Sequence, residues 1–218
     1  MHKALDEKFS DHEDAELDLS IYSDMHHPYM TEIRHFSDEV LDQAKIKYDQ
    51  YSDRILIPIF ENGRCIAVQR RRLKDRDANG NWVPKYENTK GFDKSKHIYH
   101  IEELDLDEPL LVVESAMSVL RAWDYGLKNC CAVFGSRLSW QQAEMLKRFK
   151  CIILDFDGDE SGMHGVPKAI RLLTGTRLYV LDTYSLGSKD IADVSKSRFM
   201  KVLTAPLTPF EWKCKYGS

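Results

Sequence analysis

ILDFDGDESG, from Ile153 to Gly162, sets three aspartates at alternate positions directly behind an apolar run. The run CIILDFD has the length and composition of a buried strand, and it stands in a series. PLLVVE, NCCAVF and TRLYVLDTY read as further strands. SAMSVLRAWDYG and SWQQAEMLKRF read as helices, and SGMHGVPKAIRLL as a broken helical stretch. Strands alternating with helices predict a mostly parallel sheet with helices on both faces, spanning residues 109–195. In such sheets chemistry gathers at the carboxyl ends of the strands. Glu114 closes one strand; Asp155, Asp157 and Asp159 end another; Asp190 and Asp193 follow a third, in SLGSKDIADV. The acids collect on one edge.

Three chemistries use aspartates spaced in this way. A calcium loop of the EF-hand type needs glycine at position 6 and glutamate at position 12. Counted from Asp155 those places hold Glu160 and Val166, so that reading fails. A phosphatase of the haloacid-dehalogenase type also begins with an apolar strand and DxDG, which LDFDG resembles. Here Asp159 stands where that motif has Thr or Val, and only about a quarter of the chain follows it. The third chemistry is a magnesium site for nucleotide phosphates. Carboxylates held at strand ends can carry Mg²⁺, which neutralises charge on phosphate oxygens during nucleotidyl transfer. A glutamate closing a strand, a DxD with glycine some forty residues on, and then KDxxD resemble the TOPRIM domain of primases, topoisomerases and some nucleases.

Upstream segments narrow the resemblance. RILIPIFENGRCIAVQRRRL, VPKYENT, DKSKHIYHIEEL and LLVVESAMSVLRAWDYG follow, in order, the catalytic core of DnaG-type bacterial and phage primases. The earlier YMTEIRHFSDEVLDQAKIKYD resembles the helical lead-in to that core, so the likeness covers roughly residues 29–195. It implies an α/β protein: a small mixed α+β amino-terminal lobe followed by a TOPRIM domain. The expected divisions are an acidic segment at 1–28, a basic lobe at 29–108, the TOPRIM domain at 109–195 and a helical tail at 196–218. Within the first lobe, ENG between two apolar arms predicts a hairpin and Ser37 a helix N-cap.

The resemblance also implies roles. Glu114, Asp157 and Asp159 are expected as the catalytic, metal-binding acids, with Asp190 and Asp193 as supporting acids for Mg²⁺ or Mn²⁺. Arg54, Arg71, Lys85, Asn88 and Lys94 match the residues that face template and nucleotide phosphates. Of Arg70 and Arg72, which flank Arg71 along a strand, at least one is expected to point at solvent. The implied activity is synthesis of short RNA primers on single-stranded DNA. Its partners are the template, ribonucleoside triphosphates and the RNA primer, with a replicative helicase and a zinc-binding module in trans as further ones. The rivals are a non-catalytic accessory that binds single-stranded DNA, a TOPRIM nuclease and, further off, the phosphatase. One departure is Ser118, where the family usually carries a fifth acid. Asp155 is an additional acid, expected on the face of Asp157.

Composition fits this reading. The chain is 43% hydrophobic and 30% charged, with a formal net charge of -4. Residues 1–20 hold seven acids against two lysines, whereas Glu61 to His100 hold ten Lys/Arg against five Asp/Glu. One basic segment in a weakly acidic chain suits a localised polyanion contact. Five cysteines form no CxxC pair and no zinc spacing with histidine, so no zinc is expected. His26 and His27 beside a proline are expected at the surface. No apolar run is long enough to span a bilayer, and the expected compartment is the cytoplasm.

Overall fold

A computed structural model describes residues 16–76, 79–187 and 191–217. It divides into two compact units, Met1–Asp93 and Lys94–Ser218.

The first unit is built on an antiparallel sheet in the order β1-β2-β3-β4: β1 Lys47–Asp49, β2 Arg54–Glu61, β3 Arg64–Arg72 and β4 Tyr86–Asn88. Asn62 and Gly63 join β2 to β3 with φ of 51° and 73°. A two-residue turn with both φ positive matches the twist of the flanking strands, which is why asparagine and glycine stand there. Ile55, Leu56, Ile57 and Ile59 bury β2. Helix α1, Asp38–Gln43, starts at Ser37, whose hydroxyl accepts the Val40 N–H at 3.4 Å. Register sets Ile55 opposite Arg71, Arg71 opposite Tyr86, and Gln69 opposite Asn88.

In the second unit a parallel sheet runs in the order β6-β5-β7-β8: β5 Leu110–Val113, β6 Cys130–Ala132, β7 Ile152–Asp155 and β8 Leu178–Val180. Its helices are α2 Ala116–Asp124, α3 Trp140–Leu146, α4 Glu160–Leu172, α5 Lys196–Leu203 and α6 Pro209–Tyr216. Leu110, Val112, Ile152 and Leu154 pack on one face with Leu146 from α3, Val166 and Ala169 from α4, and Trp212 from α6. Alternation turns Leu111 and Val113 to the other face, where α2 adjoins β5 and β6. Both edges are closed by single antiparallel bridges, Tyr99 with Ala132 and Leu207 with Val180. Edges finished in this way offer few unpaired backbone groups.

The structure departs from the sequence reading in three places. The segment 94–108, expected in the basic lobe, packs with the second unit, because Tyr99 pairs with β6 and Ile98 enters its core. The tail beyond 195 joins the same unit through Leu207 and Trp212. And α4 is continuous through Pro167 rather than broken. That proline removes one intrahelical donor, while Val166 and Ala169 on the buried face hold the helix to the sheet.

Candidate active site

β5 and β7 are neighbours, with Val113 opposite Asp155, so the residues that follow each strand emerge side by side. Glu114, directly after β5, is half-buried. Its backbone carbonyl accepts the Gly135 N–H at 2.8 Å, and its Oε1 accepts the Asp157 N–H at 2.9 Å. One residue therefore ties the ends of three parallel strands together. Asp159 caps α4, its Oδ1 accepting the Gly162 N–H at 3.0 Å.

Glu114 and Asp159 line one open cleft of about 540 Å³ together with Lys94, Ser136, Arg137 and Ser161. Two glycines of α4 make the approach of these groups possible. A Cβ on Gly162 would fall 2.0 Å from the Asp157 carbonyl oxygen and 2.9 Å from Glu114 Oε1. One on Gly165 would fall 2.3 Å from the Ser136 carbonyl oxygen. Ser136 and Ser161 then meet through their hydroxyls at 2.7 Å.

Between β6 and α3, Phe134 takes a left-handed φ of 58° and Gly135 one of 131°. The Phe134 carbonyl accepts from Lys94 Nζ at 3.2 Å. The buried amide of Gln142 fixes the segment bearing that lysine. Its Nε2 donates to the carbonyls of Lys94, His97 and Val133 at 2.9, 2.8 and 3.1 Å, while its Oε1 accepts the Ser139 N–H. The cleft thus sets two carboxylates against two cations, an arrangement suited to a metal-bound polyphosphate.

The remaining expected acids have different settings. Asp157 is half-buried after the strand, its backbone held by Glu114. Asp155 is buried and accepts from Thr183 Oγ1 at 2.8 Å. The strand ends at Asp155, so alternation does not carry it onto the face of Asp157. Asp193 is exposed on the turn Ile191–Asp193, and Asp190 lies outside the described residues. Ser118 is buried in the first turn of α2, its hydroxyl 2.8 Å from that of the capping Ser115. Among the described residues, no three His, Cys, Asp or Glu side chains gather closely enough to form a metal-ligand group.

The basic residues of the first unit are mostly engaged. Arg71 is 7% exposed, and its guanidinium donates to the hydroxyls of Tyr29 and Tyr86, lying near both rings. Burial works against that charge, but the two tyrosine oxygens outweigh it and hold the guanidinium more firmly protonated than usual. Expected at phosphates, Arg71 instead braces β3 to β4 and the turn Tyr29–Ile33. Arg54 pairs with Glu87 at 3.2 Å, and Asn88 accepts from Gln69 at 3.1 Å. Arg72 pairs with Asp75 at 2.8 Å. Lys85 is exposed.

Cleft residues missed in the sequence are Ser136, Arg137, Gln142 and Ser161, and the close-packed Gly162 and Gly165 beside them were missed too. Signals for some existed. GSR directly after a strand is a small and basic run at a carboxyl end, and glycines three apart in a helix share a face.

Residues 111–195 match a family model described as Toprim-like, so the acid-bearing sheet is a Toprim-like domain. The DNA primase of Enterococcus faecalis is 31% identical over 179 residues, which covers 78% of this chain and 26% of that protein. The DNA primase of a Synechocystis strain is 35% identical over 136 residues, covering 57% of this chain and 20% of its own length. A DnaG primase catalytic domain bound to single-stranded DNA superposes with a TM-score of 0.71 at 20% identity, covering 90% of this chain and 78% of that one. A DNA primase domain from Pseudomonas aeruginosa gives a TM-score of 0.58 at 25% identity, covering 77% and 58%. The chain is a homologue of bacterial DNA primases and has the fold of the DnaG catalytic core. It spans about a quarter of the length of the curated relatives it matches.

Proposed function

We propose that this chain is the catalytic core of a DNA primase, joining ribonucleotides into short RNA primers on a single-stranded DNA template. The observation that carries the proposal is the shared cleft of Glu114 and Asp159 with Lys94 and Arg137 beside them. The donors are hard carboxylate oxygens, which suit Mg²⁺ or Mn²⁺. Glu114, Asp157 and Asp159 would hold the metal once their side chains turn to converge on it, with Asp190 and Asp193 in support. Bound there, it would neutralise charge on the phosphates of the incoming nucleotide. The chain's own residues then have defined tasks. Lys94 and Arg137 bind phosphate oxygens, and Gln142 keeps Lys94 in place. Gly162 and Gly165 let the Asp157 and Ser136 carbonyls pack directly against α4. Catalysis in such a site is positioning and charge stabilisation. In the first unit, Lys85 and Asn88 on and beside β4 would meet the template strand, and Arg54 would do so through exchange with Glu87.

A replicative helicase and a zinc-binding module in trans belong to the same proposal as further partners. The buried Ser118 hydroxyl, where an acid was expected, favours a second reading: an accessory that binds the strand without catalysis. The test is incubation with single-stranded template, labelled ribonucleotides and Mn²⁺. Labelled oligoribonucleotides support the primase. A shortened template points to a nuclease, and strand binding without either product points to the accessory.

A further inference from the structure

The loop from β3 to β4 contains Trp82, which is 64% exposed. Its surroundings hold the ring in a defined posture. The Arg72 guanidinium lies 4.5 Å from the ring centroid and is itself fixed by Asp75 at 2.8 Å. An antiparallel bridge joins Arg76 to Trp82, and the Val83 N–H donates to the Asp75 carbonyl at 3.0 Å. The backbone on both sides of the loop is therefore paired, and a cation backs the indole. From Arg70 to Lys85 the sequence carries six Lys/Arg against two Asp.

We propose that Trp82 is a stacking platform for one unpaired base of a single-stranded nucleic acid. This rests on the primase reading, which supplies the strand, and adds a contact that reads the base face rather than phosphate. Three properties select this occupant. The local positive charge favours a polyanion. An indole backed by guanidinium presents a broad π-surface on which any base can stack, and such stacking tolerates sequence. A ring already fixed by Arg72 and the backbone bridge loses little further freedom on binding, so more of the stacking energy appears as affinity. A duplex offers no open base face at its middle, which restricts the partner to single strands and strand ends.

The test compares wild type, Trp82→Ala and Trp82→Phe. Anisotropy is read on an oligothymidine of about twelve nucleotides and on an abasic strand of equal length. Thermal melting should be nearly unchanged in both variants, since the ring is exposed. Trp82→Ala should weaken oligothymidine binding roughly ten-fold, within the range found for loss of a base–aromatic stack. Trp82→Phe should recover most of that affinity. Binding to the abasic strand should be equal in all three proteins, and the salt slope on oligothymidine should be unchanged because no phosphate contact is removed. Equal affinity of wild type and Trp82→Ala for oligothymidine, or the same loss on the abasic strand, overturns the stacking role and leaves the primase reading intact. Failure of wild type to bind either strand overturns both. Dimerisation of the free protein that Trp82→Ala abolishes assigns the ring to self-association and overturns the proposal.

Discussion

Arg71 in the antiparallel sheet and Glu114 at the end of a parallel strand were both expected to serve phosphate chemistry, one directly and one through a metal. Their settings differ. Arg71 lies in mid-sheet, opposite Tyr86, and its charge is satisfied inside the unit by two tyrosine hydroxyls. Glu114 stands just past the end of its strand, half-buried and lining a cleft. A strand interior presents side chains to whatever packs on that face, whereas a parallel strand's carboxyl end opens into a crevice. The same expectation from sequence thus meets a brace in one unit and the edge of an open cleft in the other.

The sharpest way to break this contrast is to truncate the brace. Arg71→Ala should destabilise the first unit by about 3 kcal/mol, because it removes a buried charge and leaves two hydroxyls to find new partners. Chemical denaturation measures this. Tyr86→Phe, which deletes one acceptor, should cost about 1 kcal/mol. A strand-binding defect in Arg71→Ala with undiminished stability would return the residue to the phosphate contacts.

On the other side of the comparison, Gly162→Ala forces a methyl group against the Asp157 carbonyl and Glu114. We expect a loss of roughly 1–3 kcal/mol from overpacking and a loss of nucleotidyl transfer that exceeds what stability explains. Melting curves and product yield at a temperature where the variant is folded separate the two. Wild-type activity in Gly162→Ala would mean that the acids tolerate displacement.

Smaller effects refine the picture. Lys85→Ala should make the salt dependence of single-stranded DNA binding shallower by about one ion and weaken all sequences alike. An unchanged slope would leave Lys85 as surface charge. At the far edge of the sheet, Lys215 and Tyr216 hold Asp182. Burial raises the pKa of Asp182, but these partners outweigh it and the net shift is downward. A carboxyl depressed on folding contributes stability that is present above its unfolded pKa and lost as pH falls through its folded value. Asp182→Asn should therefore lower stability at neutral pH by about 1 kcal/mol or less. It should also flatten the acid limb of the pH–stability profile below about pH 4.

Local and periodic features were readable in the sequence. Asn62-Gly63 specified the hairpin, Ser37 a helix start, and the alternation of apolar runs with helices the parallel sheet. Glu114 and Asp159 were readable as candidate site residues because strand ends are places where acids need a reason to be, and both line the cleft. What depended on contacts between distant segments was hidden. Tyr29 is far from Arg71 in the chain, so nothing local announced that it would take the guanidinium. Gly162 and Gly165 looked like helix breakers, since sequence shows a glycine's propensity and not the carbonyl that will approach it. Asp155 was expected on the face of Asp157 because alternation was carried past the residue at which the strand ends.

The proposed reaction centre is the carboxylate cleft, and Asp159→Asn isolates it. Asparagine caps a helix as well as aspartate does, so the variant should fold and bind single-stranded DNA like wild type while losing one charge from the cleft. The decisive measurement is labelled oligoribonucleotide formed on a single-stranded template with Mg²⁺, compared between wild type and Asp159→Asn at equal occupancy of the strand. The account predicts a ladder of short products from wild type and a loss of at least a hundred-fold in the variant, of the order seen when one electrostatic group is removed from a preorganised site. Equal product from both proteins would contradict it.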